Sequence, residues 1–151
     1  MHPVTTARSF VLELPETAER IDSSPTAIGS DERWRTPDGL YVALSVVPAP
    51  QDPELDSLGL DASIGSTLAR YRRSFAGTVH ALFGLDVRGA TAARVGRVSL
   101  TNIVGEPTEL ILVAALSEDR EVATLQIAWP TALSESLAPE AGAVAKGFSL
   151  A

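Results

Sequence analysis

Between Thr108 and Trp129 the chain reads T-E-L-I-L-V-A-A-L-S, then E-D-R-E, then V-A-T-L-Q-I-A-W. Two apolar runs of strand length flank a short charged turn, which is the pattern of a β-hairpin. From Leu110 to Leu116 both alternating sets of positions are apolar. Such a strand has both faces covered, so it lies in the middle of a sheet with something packed on each side.

The rest of the chain is read around that centre. Arg8 to Leu14 alternates, with Phe10, Leu12 and Leu14 on one side, and Pro15 ends it. Pro15 to Ile21 is expected to form one helical turn, and Asp22 to Asp31, rich in turn residues, a loop. Trp34 is expected on a short strand followed by the turn Thr36-Pro37-Asp38-Gly39. Asp-Gly before the alternating Leu40 to Val47 predicts a second hairpin over Trp34–Val47. Three prolines between Val47 and Glu54 stop that strand, so Asp52 to Leu60 is read as a surface loop. Asp61 or Ser63 then caps a helix through Ala76. Ile64, Leu68, Tyr71 and Phe75 form its inner face, and Gly77 ends it. Val79 to Val87 holds a short strand around Leu82–Val87, and Ala92 to Val104 a strand interrupted at Gly96. A terminal helix is expected over Leu133–Leu150, on the stripe Leu133, Leu137, Ala141, Val144 and Phe148, starting as late as Pro139.

A length of 151 residues makes residues 1–151 a single domain, long enough to bury a core without disulfides or metals. Nineteen acidic residues against twelve basic ones give a net charge of −7, which disfavours nucleic acid and anionic membranes. With no cysteine there is no thiol catalysis and no Cys-based metal site. No apolar run is long enough for a membrane span, and the first ten residues carry no signal h-region or lipobox. The expectation is a soluble, cytoplasmic protein.

Chemistry-bearing constellations are sparse. A Ser-His-Asp site needs His80 with Ser74 or Ser99 and Asp86, in a chain without a G-x-S-x-G sequence. The simpler reading of His80 is a surface or packing residue. Asp52, Glu54, Asp56 and Asp61 miss the EF-hand pattern, which places Gly and Glu where Ser57 and Ser63 stand. They read as a solvated acidic loop. Arg70, Arg72 and Arg73 near a helix C-terminus suit the helix dipole and offer an anion or acidic-partner site. Trp34 and Tyr41 are large aromatics outside the helices, with Arg33 and Arg35 beside the tryptophan.

The order of elements resembles the PsbP/DcrB-like fold, shared by photosystem PsbP proteins, a Ran-binding nuclear import factor, bacterial DcrB-like proteins and actinobacterial LpqN-like lipoproteins. The resemblance is carried by F-V-L-E-L-P-E (Phe10–Glu16), by R-W-R before a strand and by the helix I-G-S-T-L-A-R-Y-R-R-S-F. A closing strand pair ending A-W-P before a C-terminal helix completes it. It implies a non-enzymatic binding protein, with adaptors or chaperones for secreted effectors among its relatives. It carries over no site residue and no cofactor. The missing lipobox departs from the lipoprotein relatives.

The resulting expectation is an α+β fold, an antiparallel β-sheet flanked by helices on both faces. The functional expectation is a protein-binding adaptor or chaperone, for a secreted substrate, that uses no cofactor or metal. A hydrolase built on His80 and a structural subunit of a larger complex are the alternatives. With two helices for two faces, some sheet surface near Trp34 and Tyr41 stays open to a partner or to a second copy in a homodimer. The expected contact residues are Trp34, Arg33, Arg35, Tyr41, Arg70 and Arg73. Trp34 is expected to be at least partly exposed, and Trp34→Ala to weaken binding by ~1–3 kcal/mol with the fold intact.

Overall fold

The computed structural model describes residues 1–5, 10–25, 30–71, 78–83, 87–102 and 104–150. Its strands are β1 (His2–Thr5), β2 (Phe10–Leu14), β3 (Glu19–Pro25), β4 (Ser30–Arg35) and β5 (Tyr41–Pro48), followed by β6 (Thr78–Phe83), β7 (Ala92–Thr101), β8 (Pro107–Leu116), β9 (Glu121–Pro130) and β10 (Ser149–Leu150). Helix α1 (Asp56–Tyr71) lies between β5 and β6, and α2 (Ser134–Lys146) follows β9. Seven strands form one antiparallel sheet in the order β3-β4-β5-β9-β8-β7-β6. A small second sheet, β1-β2-β10, has β2 at its centre.

The architecture is the expected α+β arrangement, and the Thr108–Trp129 hairpin is its middle. β8 is buried along nearly its whole length, and the two alternating sets of its side chains enter different cores. Leu112, Ala114 and Leu116 join Val122 of β9 and Leu60 and Ile64 of α1. Val113 and Ala115 join Leu125, Ile127 and Trp129 of β9 with Leu137, Ala141 and Val144 of α2. Phe10, Leu12 and Leu14 of the small sheet belong to this second cluster, so α2 shares its face of the main sheet with β2. At about 1.5–3 kcal/mol for each fully buried leucine-sized side chain, these two layers hold the domain together.

Three hairpins turn in the same way. In each, one backbone N–H bonds the carbonyl four residues on, and the fourth residue's N–H bonds back to the first carbonyl. The pairs run Thr36 to Leu40, Asn102 to Glu106 and Ser117 to Glu121. In each the fourth residue has a positive φ. Gly39 (φ 111°) and Gly105 (φ 88°) hold that position in the first two, and Arg120 (φ 62°) holds it in the third. The Arg120 side chain explains the exception. Its guanidinium pairs with both carboxylate oxygens of Asp56, at 2.8 and 3.1 Å, and donates to the Pro50 carbonyl. The β8–β9 turn is thereby clamped to the first turn of α1.

Several local expectations are corrected. Glu19–Pro25, read as the end of a helical turn and a loop, is β3, an edge strand paired with β4. Its polar sequence carries little alternation, and it becomes a strand only because β4 offers an unpaired edge. α1 starts at Asp56, with a 3-10 turn at Pro53–Leu55 before it, so most of the supposed acidic loop is helix. Asp52 caps the 3-10 turn, Asp56 pairs with Arg120 and Asp61 lies 3.6 Å from Arg94. The acidic residues thus serve the start of the helix. Ile64 of the expected inner stripe is buried. The side chains of Leu68, Arg70 and Tyr71, and residues 72–77 with Arg72, Arg73, Phe75 and Gly77, lie outside the described residues. β7 runs through Gly96 without a break, paired with Leu112, and the irregularity is opposite it, between Val79 and Ala81 of β6.

α2 ends at Lys146, short of Leu150, and Leu133 is 41% exposed, outside the buried stripe. Pro139 does not open the helix but sits inside it, on the exposed side. Gly147 ends it where a β-carbon would meet Glu13 at 2.6 Å, so the chain passes β2 at a distance only glycine allows. Phe148 then stacks on Phe10, with ring centroids 5.8 Å apart.

Candidate functional site

Alternation along β4 separates the residues that the sequence groups together. Trp34 is in register with Val42, on the α2 face, and is buried at 3% exposure. The guanidinium of Arg20 lies over its ring at 5.4 Å and bonds Glu32, itself buried, at 3.0 Å. The expectation of an exposed Trp34 is therefore corrected: the ring is part of the core. Arg33 and Arg35, at odd positions, leave the opposite face and are exposed. They do not rim the tryptophan, because a strand sends neighbours to opposite sides.

On that opposite face α1 packs over β7, β8 and β9. The strip over β4, β5 and the far ends of β8 and β9 holds an open cleft of about 600 Å³. Arg33, Arg35, Tyr41, Ala128, Thr108 and Pro130 line it, with Gly39 of one hairpin and Asn102 and Glu106 of another. Register shows how the floor is made. Arg35 pairs with Tyr41, Tyr41 with Ala128, and Ala128 with Leu110, a row running across four strands. The small Ala128 leaves the hollow beside Tyr41. The wall is the β7–β8 hairpin, held in shape by Asn102 Oδ1, which accepts the N–H groups of Val104 (3.0 Å) and Glu106 (2.9 Å). Thr108 Oγ1 donates to the Glu106 carbonyl at 3.1 Å. Val104, at the tip of this wall, is 72% exposed.

Three of the six residues expected at a partner site, Arg33, Arg35 and Tyr41, thus come together in one cleft. Trp34 is withdrawn into the core, the Arg70 side chain lies outside the described residues, and so does Arg73. The sequence did not point to Asn102, Glu106, Thr108 or Ala128. The place of the Asn102–Glu106 turn beside the Thr36–Leu40 turn follows from β9 and β8 standing between β5 and β7.

Most side chains of the hydrolase alternative lie outside the described residues. His80 lies on β6 with its side chain outside the described residues, as are Ser74 and Asp86. Ser99 donates from Oγ to the buried Glu109 carboxylate at 2.6 Å, and Thr131 donates to its other oxygen at 2.8 Å. Among the described residues no three His, Asp or Glu side chains gather as metal ligands, and no helix is long and apolar enough to cross a membrane.

A carboxyl pair joins α2 to the β4–β5 turn near Gly39. Burial, then the charge of Asp38 and hydrogen bonding with it, hold Glu140 above the ordinary carboxylate range. Its Oε2 is enclosed without a hydrogen-bond partner. A raised carboxyl favours the protonated folded state, so its contribution is complete below the ordinary value and lost as pH rises through the folded one. Glu140→Gln mimics the protonated form. It is expected to melt above the wild type at neutral pH, with the two curves converging below about pH 4. Calorimetry across pH checks this, and a gap that persists in acid contradicts it.

No protein-family model and no curated protein matches the sequence. Solved structures do match over nearly the whole chain. The cyanobacterial PsbP of Synechocystis sp. PCC 6803 has a TM-score of 0.71 at 11% identity, over 99% of this chain and 92% of its own. The Ran-binding protein Mog1p of Saccharomyces cerevisiae has a TM-score of 0.64 at 11% identity, over 99% of this chain and 94% of its own. LpqN of Mycobacterium tuberculosis, involved in cell envelope biogenesis, has a TM-score of 0.61 at 16% identity, over 99% and 89%. The chain has the PsbP/Mog1/DcrB-like fold. At these identities the PsbP/Mog1/DcrB-like likeness is one of fold, and no site residue passes from one protein to another.

Proposed function

We propose that this protein is a non-enzymatic adaptor or chaperone that binds a partner protein in the cleft of Arg33, Arg35 and Tyr41. The observation that carries the reading is the cleft itself. α1 leaves part of one sheet face bare, and what stands there is arginine and tyrosine, residue types that concentrate binding energy at protein interfaces. Mog1p, a Ran-binding protein, shares the fold, which agrees with a protein that works by association. A secreted substrate, met in the cytoplasm, is the partner we propose to look for first.

A photo-crosslinking amino acid at Tyr41 tests the reading in living cells. Glu118 is the control position, exposed in the turn at the opposite end of the β8–β9 hairpin. A discrete adduct from position 41 that position 118 does not give is the expected result. Tyr41→Ala is then expected to weaken the purified complex by ~1–3 kcal/mol. Equal labelling from both positions, or none from position 41, overturns the proposal.

A further inference from the structure

The cleft carries a charge pattern that selects among partners. Arg33 and Arg35 stand two residues apart on β4, so their side chains leave one face about 7 Å apart. Both are exposed, and among the described residues neither forms an ion pair. The acids near them are few. Glu106 lines the cleft, and on β3 Glu19 is in register with Arg35 and Asp22 with Arg33. Two guanidinium groups without an ion pair among the described residues stand side by side on one bare sheet face, each free to take a carboxylate from a partner.

Resting on the partner-binding reading above, we infer that the cleft takes an extended acidic segment of the partner, with carboxylates on alternate residues seated on Arg33 and Arg35. The geometry matches because an extended peptide repeats its side chains at the same spacing as β4. Each guanidinium offers a planar fork of donors that a carboxylate fills with two hydrogen bonds. The Tyr41 ring and the hollow over Ala128 lie in the same cross-strand row as Arg35 and flank the acid seated there.

Fluorescence anisotropy tests this with two labelled peptides of the same composition, one alternating glutamate and threonine, the other with its glutamates contiguous. The alternating peptide is expected to bind several-fold more tightly and to weaken as salt is raised. The double variant R33Q/R35Q is expected to lose about tenfold or more in affinity. Both side chains are exposed, so its melting temperature should match the wild type. If it melts lower, the single variants R33Q and R35Q, each with a partial loss, take its place. Equal binding of both peptides, unchanged binding by R33Q/R35Q, or displacement by free glutarate as effective as by the peptide overturns the inference. If neither peptide binds while position 41 still crosslinks a partner, the acidic segment is refuted and the partner-binding reading stands. If position 41 crosslinks nothing either, both fall.

Discussion

Trp34→Ala is expected to destabilise the domain by about 3–5 kcal/mol, the cost of removing a buried tryptophan ring and leaving its cavity. The ring is 3% exposed and belongs to the cluster that holds Val42, Leu44 and Leu125. Its removal also takes away the surface on which Arg20 lies, while Glu32 stays buried against that guanidinium. Urea unfolding followed by circular dichroism reads the effect. The neighbouring Arg33→Gln and Arg35→Gln, both on the exposed face, are expected to stay within about 0.5 kcal/mol of the wild type. One strand then separates stability from binding residue by residue. A Trp34→Ala protein with a wild-type midpoint would show that the ring is not in the core, and would restore it as a candidate contact.

Leu112→Ala is expected to cost about 2–5 kcal/mol, toward the upper end. Leu112 is fully buried on the α1 face, with Leu60, Ile64 and Ala114 in its cluster. Its partners across the two neighbouring strands are Gly96 and Gln126. Glycine has no side chain to move into the hole, so the cavity stays open in the cluster that holds Leu60 and Ile64. A fall in melting temperature on the order of 10 °C is expected. Hydrogen exchange should show α1 losing protection before α2, which packs on the other face. A shift near zero would contradict the position of β8 at the centre of the sheet.

The readable parts of the fold were those whose local pattern and tertiary environment agree. Leu110–Leu116 is apolar on both faces because helices cover both, and Phe10, Leu12 and Leu14 alternate because only one side of β2 is buried. The Asp38-Gly39 turn is legible because its last position takes a positive φ. β3 was not legible, since its strand state comes from the free edge of β4 rather than from its own polar residues. The start of α1 was hidden by prolines that end a strand and by acids that read as loop. The ion pair of Asp56 with Arg120 that anchors it joins residues 64 positions apart.

The candidate site divides in the same way. The number of helices pointed to open sheet surface near Trp34 and Tyr41, because two helices cannot cover both faces of so large a sheet, and Arg33 and Arg35 entered only as a rim around the tryptophan. The placement of Trp34 required the register of β4 on β5, since a shift of one residue exchanges the buried and exposed sets of a strand. Sequence alone determined that this chain builds a two-faced antiparallel sheet with a helix for each face, because periodicity is a local property of the chain. Only the tertiary structure decided which face each residue of Arg33-Trp34-Arg35 joins, and which hairpin stands opposite to close the cleft. Strand order and register are set by contacts between distant segments, and no local pattern records them.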